Sequence, residues 1–388
     1  MRILHVIPAV AERYGGPSTV ALDTCARLAA RGHDVLLATT DADGPGRLDV
    51  ALGQPTAYRG ARAIFFTRTS SEAFKWSPDL ATWLDRHVVE FDVVDIHAIF
   101  SHSSLVAGRA CRHADVPYVV RPHGSLDPWS LARKAWQKQL LFWLGARRLL
   151  TGAARVQYTT AEEQRLAEAR LPWLARGVVV PLGVGDERPR SSSPGASTAP
   201  YVLTLSRLER KKGLELLIAA FHRVAVAGAL AEWRLVIAGD GDAGYVRDLK
   251  RMAANGSAAA RIDFPGWVSG DEKAALLQRA SLFACPSEQE NFGVALVEAM
   301  AESVPVLVSP GVNLAPDIAA AGAGWIAERN PASFPRVLEA ILHDRPARLS
   351  RGQAASALAR RFTWERSVDA LVALYEDVRG PGHGGLAA

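Results

Sequence analysis

Short apolar runs alternate with longer amphipathic stretches along most of the 388-residue chain. In the first half, the pattern predicts a helix over 21–30 and strands at 3–7, 35–39, 93–97, 116–121 and 156–159. In the second half, it predicts a helix over 214–224 and strands at 202–206, 234–238, 262–264, 282–285 and 306–308. Apolar strands separated by helices are typical of parallel sheets that are covered on both faces. The pattern therefore predicts two α/β domains.

A segment rich in Ser, Pro and Gly separates the two series and has the composition of an exposed linker. The predicted organisation is a first domain over 1–187, a linker over 188–200, a second domain over 201–362, a helix over 363–379 and a disordered tail over 380–388. Open parallel sheets bind ligands beyond the carboxyl ends of their strands. We therefore expect a ligand cleft where the strand ends of the two domains face each other.

The composition excludes several classes of protein. No apolar run has the length that a transmembrane helix needs, and the apolar start of the chain leads directly into a glycine loop, unlike a signal peptide. The three cysteines, Cys25, Cys111 and Cys285, lie far apart without the spacing of a metal site. Reduced thiols in a cytoplasmic protein are the expectation.

The positive charge is concentrated in one window of the chain. The formal net charge is +5, and between residues 121 and 150 six basic residues face Asp127 alone, so that six minus one equals the whole excess. The basic residues of this window are Arg121, Arg133, Lys134, Lys138, Arg147 and Arg148. A nucleic-acid-binding protein would have a broader basic surface or a recognisable motif. A local anionic surface is the predicted partner, and no nucleic acid is expected.

Tryptophans recur every seven residues in the same region, at Trp129, Trp136 and Trp143. On a single helix they would form one stripe flanked by the basic residues. Such a helix suits an anionic membrane surface, so residues 129–148 predict a peripheral contact at the inner face of the cell membrane. The alternative is a helix whose tryptophans face the core and whose basic back is solvated.

The stretch from Glu290 to Glu298 carries the most informative candidate chemistry. It reads as a loop that ends at Phe292 and Gly293, followed by a helix. The start of a helix offers unpaired N–H groups to a phosphate, and glycine lets an anion approach the backbone closely. The two carboxylates would be repelled by phosphates and suit hydroxyl groups on either side. Hydroxyl, diphosphate and hydroxyl is the layout of a nucleotide sugar, whereas the alternative is an ordinary helix with an acidic residue near its start.

Further candidates follow other strands of the second half. Arg207 and Lys212 lie in a basic loop and would offset the charge of a diphosphate, although a solvated loop is the alternative. Gly239 lies in a tight turn, and the backbone near Val268 is placed to pair with a base edge.

The first half contributes a histidine and a pair of glycines. His123 lies between a proline and a glycine at a strand end, where its ring can hydrogen-bond a sugar hydroxyl or stabilise developing charge. Gly15 and Gly16 follow the first strand and can admit a phosphate or sugar, or can form a purely structural turn. No metal site is expected, because the Asp-x-Asp pairs lie in turns and the histidines lack a third ligand.

With these candidate motifs in this order over residues 1–378, the chain resembles a retaining glycosyltransferase of family GT4. The most specific motifs are Arg121–Pro128 (Arg-Pro-His-Gly-Ser-Leu-Asp-Pro), Ser206–Gly213 and Glu290–Glu298. The resemblance implies a GT-B fold, with two Rossmann-like doubly wound domains facing a central cleft and a last helix that crosses back to the first domain. It also implies transfer of a hexose-type sugar from a UDP- or GDP-sugar to a hydroxyl acceptor, without a cofactor or metal.

The resemblance assigns roles to the candidate residues. Those that would hold the diphosphate are Arg207, Lys212 and the amides of Phe292 and Gly293. Glu298 would bind the ribose and Glu290 the transferred sugar, while His123 would reach that sugar from the first domain. The full predicted donor site is Gly15, Gly16, Arg207, Lys212, Gly239, Val268, Asn291, Phe292, Gly293 and Glu298, and the predicted catalytic groups are His123, Glu290, Arg207 and Lys212.

One position departs from the family pattern and one mechanism is favoured. Ser303 stands where the family usually has glycine, so a changed turn is expected there. Retaining glycosidases use a carboxylate nucleophile, and none is evident beside His123. We therefore expect same-face attack in which the leaving diphosphate takes the acceptor's proton.

The acceptor remains open between two classes, and two other functions are alternatives. The acceptor is predicted to be a lipid-linked glycan or polysaccharide precursor, with a soluble small molecule as the alternative. A GT-B sugar-nucleotide epimerase would require acid/base groups around the sugar and no acceptor. A catalytically silent sugar-nucleotide-binding protein is disfavoured by the intact charged residues.

Overall fold

The chain divides into two compact units. The computed structural model describes residues 1–70, 72–174, 177–185, 199–225 and 230–380. The first unit comprises Met1–Gly183 together with the chain from Glu365 onward, and the second comprises Val184–Trp364. The predicted linker over 188–200 lies outside the described residues except for its last two, and the predicted tail lies outside them beyond residue 380.

The first unit is built on an eight-stranded sheet with the order β10-β9-β8-β7-β1-β2-β6-β5. All neighbouring pairs are parallel except β5 and β6, and β3 and β4 form a separate two-stranded hairpin. The strands are β1 Arg2–Ala9, β2 Asp34–Thr40, β3 Ala42–Asp43, β4 Gly46–Arg47, β5 Pro55–Tyr58, β6 Ala61–Phe66, β7 Val93–His97, β8 Tyr118–Arg121, β9 Arg155–Tyr158 and β10 Gly177–Val179.

Among the described residues, eight α-helices follow or connect these strands. They are α1 Gly16–Ala30, α2 Pro78–His87, α3 His102–His113, α4 Pro128–Ala132, α5 Ala135–Leu141, α6 Arg147–Gly152, α7 Ala161–Arg170 and, near the end of the chain, α15 Trp364–Arg379. Side-chain oxygens of Ser77, Ser101 and Thr160 accept hydrogen bonds from backbone amides at the starts of α2, α3 and α7. These caps satisfy donors that the helices themselves leave unpaired.

The second unit has a six-stranded, fully parallel sheet with the order β13-β12-β11-β14-β15-β16. The strands are β11 Tyr201–Leu205, β12 Arg234–Ala238, β13 Ile262–Gly266, β14 Leu282–Cys285, β15 Val306–Val308 and β16 Gly324–Ile326. The described helices are α8 Leu214–Val224, α9 Ala243–Ala254, α10 Gly270–Arg279, α11 Val294–Ala301, α12 Ala315–Ala321, α13 Ser333–His343 and α14 Arg345–Ala359.

The sheet of the first unit is buried on both faces. Leu4 and Val6 of β1 pack in one apolar cluster, whereas Ile3 and Ile7 pack in another. Successive residues of a strand point to opposite faces, so two clusters along one strand mean that both faces are covered. The second cluster includes the inner face of α15, namely Val368, Leu371, Leu374 and Tyr375. The last helix therefore completes the core of the first unit.

The predicted strands and the helices predicted over 21–30 and 214–224 are confirmed within the described residues, and six strands are added. The additional strands are β3 and β4 of the hairpin together with β5, β6, β10 and β16, and β5, β10 and β16 lie at the edges of the two large sheets. Short edge strands carry a weaker apolar signal than the buried central ones. No helix among the described residues is long and apolar enough to cross a membrane.

The single helix predicted through Trp129, Trp136 and Trp143 is wrong. The chain forms α4, breaks at Arg133 and Lys134, and continues as α5, a π-helical turn over Phe142–Ala146 and α6. Lys134 has a left-handed backbone (φ +50°), and Gly145 within the turn has φ 161°. A stripe at helical spacing consequently does not exist. Trp129 lies half-buried beneath the guanidinium of Arg133, whereas Trp136 and Trp143 are 68% and 82% exposed.

Each sheet has one point at which the strand order reverses. In the first unit, β2 lies on one side of β1 and β7 on the other; in the second, β12 lies on one side of β11 and β14 on the other. The loops that leave neighbouring strands at such a point diverge to opposite faces and leave a crevice at the carboxyl edge. The candidate residues lie at these two edges.

Candidate functional site

In the second unit, the loop after β11 and the loop after β14 lie side by side at the switch point. The amide of Glu288 donates to the carbonyl of Lys211 over 2.6 Å, which joins the two loops through their backbones. Arg329 adds a hydrogen bond from its Nε to the carbonyl of Pro286, at 2.9 Å. The loops after β11 and β14, which are distant in sequence, therefore lie against each other.

Lys212 of the first of these loops forms an ion pair with Glu290 of the second. The ammonium of Lys212 donates to Oε2 of Glu290, and the side chains are only 11% and 18% exposed. Burial opposes the charge of Lys212, but the carboxylate of Glu290 outweighs it and raises the pKa of the lysine above its usual value. Lys212 is therefore cationic at neutral pH. An arriving phosphate and a sugar hydroxyl would each find one charged partner here.

The backbone of Glu290 is also fixed. Its amide donates to the carbonyl of Gly311 and its carbonyl accepts from the amide of Asn313, both at 2.9 Å. The side chain of Asn313 donates to Oδ1 of Asn291 over 3.2 Å. These contacts attach the loop ahead of α11 to the segment that follows β15.

Gly293 caps the start of α11 with a left-handed backbone, φ +75° and ψ +66°. An L side chain is strained at this φ, and an added Cβ would lie 3.2 Å from Cβ of Leu296 and 3.3 Å from Cγ of Glu290. Phe292 before it is buried and packs edge-on against Phe362, with ring centroids 5.4 Å apart. The first amides of α11 thus face a glycine-lined approach, as an anion site requires.

Glu298 lies in the second turn of α11 and forms an ion pair that the sequence did not predict. Nζ of Lys273, on α10, donates to Oε1 of Glu298 over 2.6 Å, with both side chains about three-quarters buried. A lysine 25 positions upstream carries no local signal of this contact. Only the packing of α10 beside α11 brings it there.

The remaining predicted residues of the second unit lie at the neighbouring strand ends. Arg207 is exposed and pairs with Glu209 at 2.8 Å. Gly239 follows β12 with φ +131°, and an added Cβ would lie 1.9 Å from the carbonyl oxygen of Ser206. Its amide donates to the carbonyl of Gly266 over 2.7 Å, just before the buried Val268. Only glycine allows the loops after β11 and β12 to approach this closely.

In the first unit, His123 follows β8 at the carboxyl edge. Its backbone is left-handed (φ +52°), and the next amide, that of Gly124, donates to Oε1 of Glu163 over 2.7 Å. Nε2 of His123 lies 3.0 Å from Nδ1 of His97, the last residue of β7. A strained, doubly anchored histidine is typical of a functional position.

Gly15 and Gly16 lie at the start of α1, after β1. Gly15 has φ +75° and ψ −147°, and Gly16 is the first residue of the helix. Ser18 in the same turn donates its hydroxyl to the carbonyl of Ala9 over 3.0 Å. The turn is anchored to the end of β1, and a Cβ added at Gly16 would meet no atom within 4 Å.

The structure thus places the predicted residues in two groups, one on each unit. The group on the second unit comprises Arg207, Lys212, Gly239, Val268, Glu290, Asn291, Phe292, Gly293 and Glu298. The group on the first unit comprises Gly15, Gly16 and His123. Cations, a helix start and paired carboxylates at a topological switch point define a site suited to a phosphorylated, hydroxyl-rich ligand.

The comparisons with known proteins agree with this class. Residues 14–188 match the model of glycosyltransferase family 4, and residues 186–357 match that of the glycosyl transferases group 1. The chain belongs to the GT4-type glycosyltransferases, and its parallel sheets have the GT-B fold.

Relatives and solved structures match over almost the whole chain. The GDP-mannose:cellobiosyl-diphosphopolyprenol alpha-mannosyltransferase of Xanthomonas oryzae is 28% identical over 401 residues, with 98% of each chain covered. The phosphatidyl-myo-inositol mannosyltransferase of Mycobacterium leprae is 27% identical over 392 residues, again with 98% of each covered. The structure of Anabaena HepE in complex with UDP and glucose matches with a TM-score of 0.75 at 20% identity, covering 96% of this chain and 99% of HepE.

Proposed function

We propose that this glycosyltransferase moves a hexose, with retention of anomeric configuration, from a nucleoside diphosphate sugar to a lipid-linked hydroxyl acceptor. The observation that carries the proposal is the Lys212–Glu290 pair beside the Gly293-capped start of α11, at the switch point of the second unit. It sets a cation and helix amides beside a carboxylate. Diphosphate and sugar hydroxyl are the groups that such a site would bind side by side.

The donor would be held as follows. Lys212, Arg207 and the first amides of α11 bind the diphosphate, and Glu290 accepts hydrogen bonds from the sugar hydroxyls. Glu298, oriented by Lys273, accepts from the ribose, and the backbone around Val268 meets the base. GDP-mannose is the preferred donor because the name of the Xanthomonas oryzae relative, which matches over 98% of its length, contains it. UDP is bound in HepE, which is only 20% identical.

Transfer would proceed on the face from which the diphosphate leaves. The bond between the anomeric carbon and the diphosphate oxygen breaks, the acceptor oxygen bonds to the same face, and the leaving phosphate takes the acceptor's proton. The cation of Lys212 and the helix start stabilise the charge that develops on the diphosphate. In this mechanism the protein's own cations do the work of a metal, and none is required.

A donor panel tests the proposal. GDP-mannose, UDP-glucose and other nucleotide sugars are incubated with and without a polyprenyl-diphosphate-linked disaccharide, and nucleotide release is measured. We expect release that depends on the acceptor, persists in EDTA and yields a product of retained configuration by NMR. Acceptor-independent isomerisation of the donor would instead indicate an epimerase, and an inverted product would refute same-face transfer.

Matched variants tie the activity to the site. Glu290→Gln removes the charge that faces Lys212 and is expected to lower kcat by about 100-fold, a magnitude typical of losing one group that stabilises the transition state. Glu339→Gln, at an exposed glutamate of α13 in the second unit, is the isosteric control away from the site. Equal activity of the two variants would contradict the assigned role of Glu290.

The acceptor is proposed to be presented at a membrane surface. Trp136, Leu140, Trp143 and Leu144 are 68%, 47%, 82% and 57% exposed, and Lys134, Arg147 and Arg148 around them are exposed as well. Large exposed apolar side chains interleaved with cations suit the interface of an anionic bilayer. Relatives named for polyprenol- and phosphatidylinositol-linked acceptors support the same site of action.

Vesicle flotation tests the membrane contact. We expect two double variants to reduce binding to phosphatidylglycerol vesicles at least tenfold. Trp136→Ala/Trp143→Ala removes the exposed aromatic area that would enter the interface. Lys134→Glu/Arg148→Glu reverses two charges, and a basic residue near an anionic surface contributes about 1 kcal/mol. Lys138 is unsuitable for charge reversal because it is half-buried and donates to the carbonyl of Ser130. The matched control is Arg86→Glu/Arg170→Glu, which reverses two charges on other exposed residues of the first unit. Binding that is unchanged in both test pairs would refute the contact.

A further inference from the structure

Three histidine rings form a continuous hydrogen-bonded row that ends at His123. Nδ1 of His5, on β1, lies 3.0 Å from Nε2 of His97, on β7, and Nδ1 of His97 lies 3.0 Å from Nε2 of His123. His5 and His97 are completely buried, whereas the side chain of His123 is partly exposed. The ring planes of His97 and His123 are within 19° of parallel, with centroids 5.2 Å apart. The row leads from the core to the edge of the sheet.

All three rings are neutral at physiological pH. Burial lowers the pKa of His5 and of His123 to about 4 and lowers the pKa of His97 as well. Each ring therefore carries one proton, on either Nδ1 or Nε2. Since every contact in the row joins two ring nitrogens, the tautomer of one ring dictates the tautomer of the next.

Only two arrangements of protons satisfy both contacts. In the first, His5 donates from Nδ1 to His97, and His97 donates from Nδ1 to His123, so that His123 carries its own proton on Nδ1. In the second, every donation runs the opposite way, and Nδ1 of His123 is a bare acceptor. The arrangements differ at the buried end as well, because Nε2 of His5 is a bare acceptor in the first and an N–H donor in the second.

The buried end favours the first arrangement. Nε2 of His5 is fully buried and has no hydrogen-bond partner among the described residues. An orphaned N–H in a protein interior is rarer than an unsatisfied acceptor. The proton of His5 thus lies on Nδ1 and is donated to Nε2 of His97. His97 in turn donates from Nδ1 to Nε2 of His123, so the proton of His123 lies on Nδ1.

The charged groups beside the row stabilise it but do not decide in which direction the protons are donated. Oδ2 of Asp95 lies 4.0 Å from Nδ1 of His5 and Oδ1 lies 3.7 Å from Nε2 of His97, so the carboxylate is near both sides of the same contact. Its own partners are the buried guanidinium of Arg121, at 3.0 Å, and the hydroxyl of Tyr375 from α15. The buried thiol of Cys25, on α1, is kept protonated by a raised pKa. Although His5, Asp95 and His97 could be grouped as metal ligands, Arg121 already supplies the cation there.

We propose that His97 and His5 are positioning residues that hold His123 as the Nδ1–H tautomer, so that it presents a hydrogen-bond donor to an oxygen of the bound sugar or acceptor. The proposal rests on the proposed function for the identity of that oxygen. Its structural half, the tautomer of His123, can be measured in the ligand-free protein. Failure of one half is therefore distinguishable from failure of the other.

Nitrogen NMR of the full chain labelled with ¹⁵N-histidine reads the tautomers directly. At pH 7.5, without ligand, His123 is expected as the Nδ1–H form, assigned by loss of its signals in His123→Asn. In His97→Leu, which cannot hydrogen-bond, His123 is expected to move toward the Nε2–H form. His113→Leu, an exposed site on the same unit, is the control and leaves the His123 signals in place. An Nε2–H form of His123 in the unaltered protein would overturn the proposal.

Kinetics then separate positioning from a purely structural role. His97→Leu is expected to lower kcat about 10- to 100-fold, as for a misplaced catalytic group, with little change in the donor KM. His123→Asn keeps an N–H donor near the position of Nδ1, so it is expected to retain at least tenfold more activity than His123→Asp, which offers only an acceptor. Equal activity of His123→Asn and His123→Asp, with melting temperatures that match, would refute the donor role.

Discussion

A serine adopts a left-handed backbone at the end of α11. Ser303 has φ +62°, its amide donates to the carbonyl of Met300, and the amide of Val304 donates to the carbonyl of Ala299, both at 3.0 Å. This pair of bonds is the Schellman ending of a helix, in which glycine is the usual left-handed residue. The turn is therefore the ordinary one, and the departure from the family pattern appears as backbone strain rather than as a changed turn.

Restoring glycine is expected to stabilise the second unit. Ser303→Gly removes a left-handed penalty of about 1 kcal/mol or more, which the greater freedom of glycine in the unfolded chain partly offsets. The free energy of unfolding should therefore rise by roughly 0.5–1 kcal/mol. The measurement is urea denaturation followed by circular dichroism. Ser303→Ala, which shortens the side chain without freeing φ, is the control. A gain in Ser303→Ala as large as that in Ser303→Gly would mean that strain is not the cause.

At the scale of elements, α10 and α11 share the ion pair between Lys273 and Glu298. The two residues lie on different helices, 25 positions apart, and the pair is three-quarters buried. A largely buried carboxylate that accepts from a largely buried ammonium has a defined orientation, which a flexible surface pair lacks. The pair thus makes the proposed ribose contact depend on how α10 packs.

Removing the lysine is expected to weaken donor binding without slowing chemistry. Lys273→Met keeps the length of the side chain but removes the ammonium that donates to Glu298, so the KM for the nucleotide sugar should rise about tenfold while kcat changes little, the signature of a lost ground-state contact. Steady-state kinetics on the preferred donor provide the measurement. Lys250→Met, on an exposed lysine of α9, is the matched control. A fall in kcat with an unchanged KM would contradict the assignment.

At the scale of the molecule, the first unit carries titratable groups buried in its centre. Folding lowers the pKa of His5 and His123 from 6.5 to about 4, so below pH 6.5 the unfolded chain binds protons that the folded chain does not. Stability that depends on neutral histidines is therefore lost as the pH falls from about 6.5 toward 4. Asp95 acts later: burial opposes its charge, yet Arg121 holds its pKa below the usual value, so its contribution is lost only below about pH 4.

Acid denaturation tests this arrangement. The melting temperature of the first unit is expected to fall between pH 6.5 and 4 as the histidines bind protons, and to continue to fall below pH 4 as Asp95 does. His5→Gln removes one of the buried titrating groups and should flatten the upper part of this dependence, whereas His113→Gln at an exposed site should leave it as in the unaltered protein. Differential scanning calorimetry across pH is the measurement. Parallel curves for His5→Gln and the unaltered protein would exclude His5 as a source of the acid sensitivity.

Much of the architecture is encoded locally. The runs that form β1, β7, β11 and β14 are buried and separated by helical patterns, so their identity and parallel arrangement can be predicted from the sequence. The same holds for the turn before α11, because Gly293 and the apolar helix after it are adjacent in the chain. Local pattern suffices wherever the neighbours that matter are a few residues away.

The sequence by itself determined two α/β halves, their central strands and a list of charged and glycine residues at strand ends. Only the tertiary structure decided which of these residues meet: that Lys212 pairs with Glu290, that Lys273 reaches Glu298, and that His123 ends a row of buried histidines. It also replaced the single tryptophan-bearing helix with broken segments that expose Trp136 and Trp143. The physical reason is that ion pairs, ring contacts and backbone breaks depend on residues that are distant in sequence, and periodicity carries no information about them.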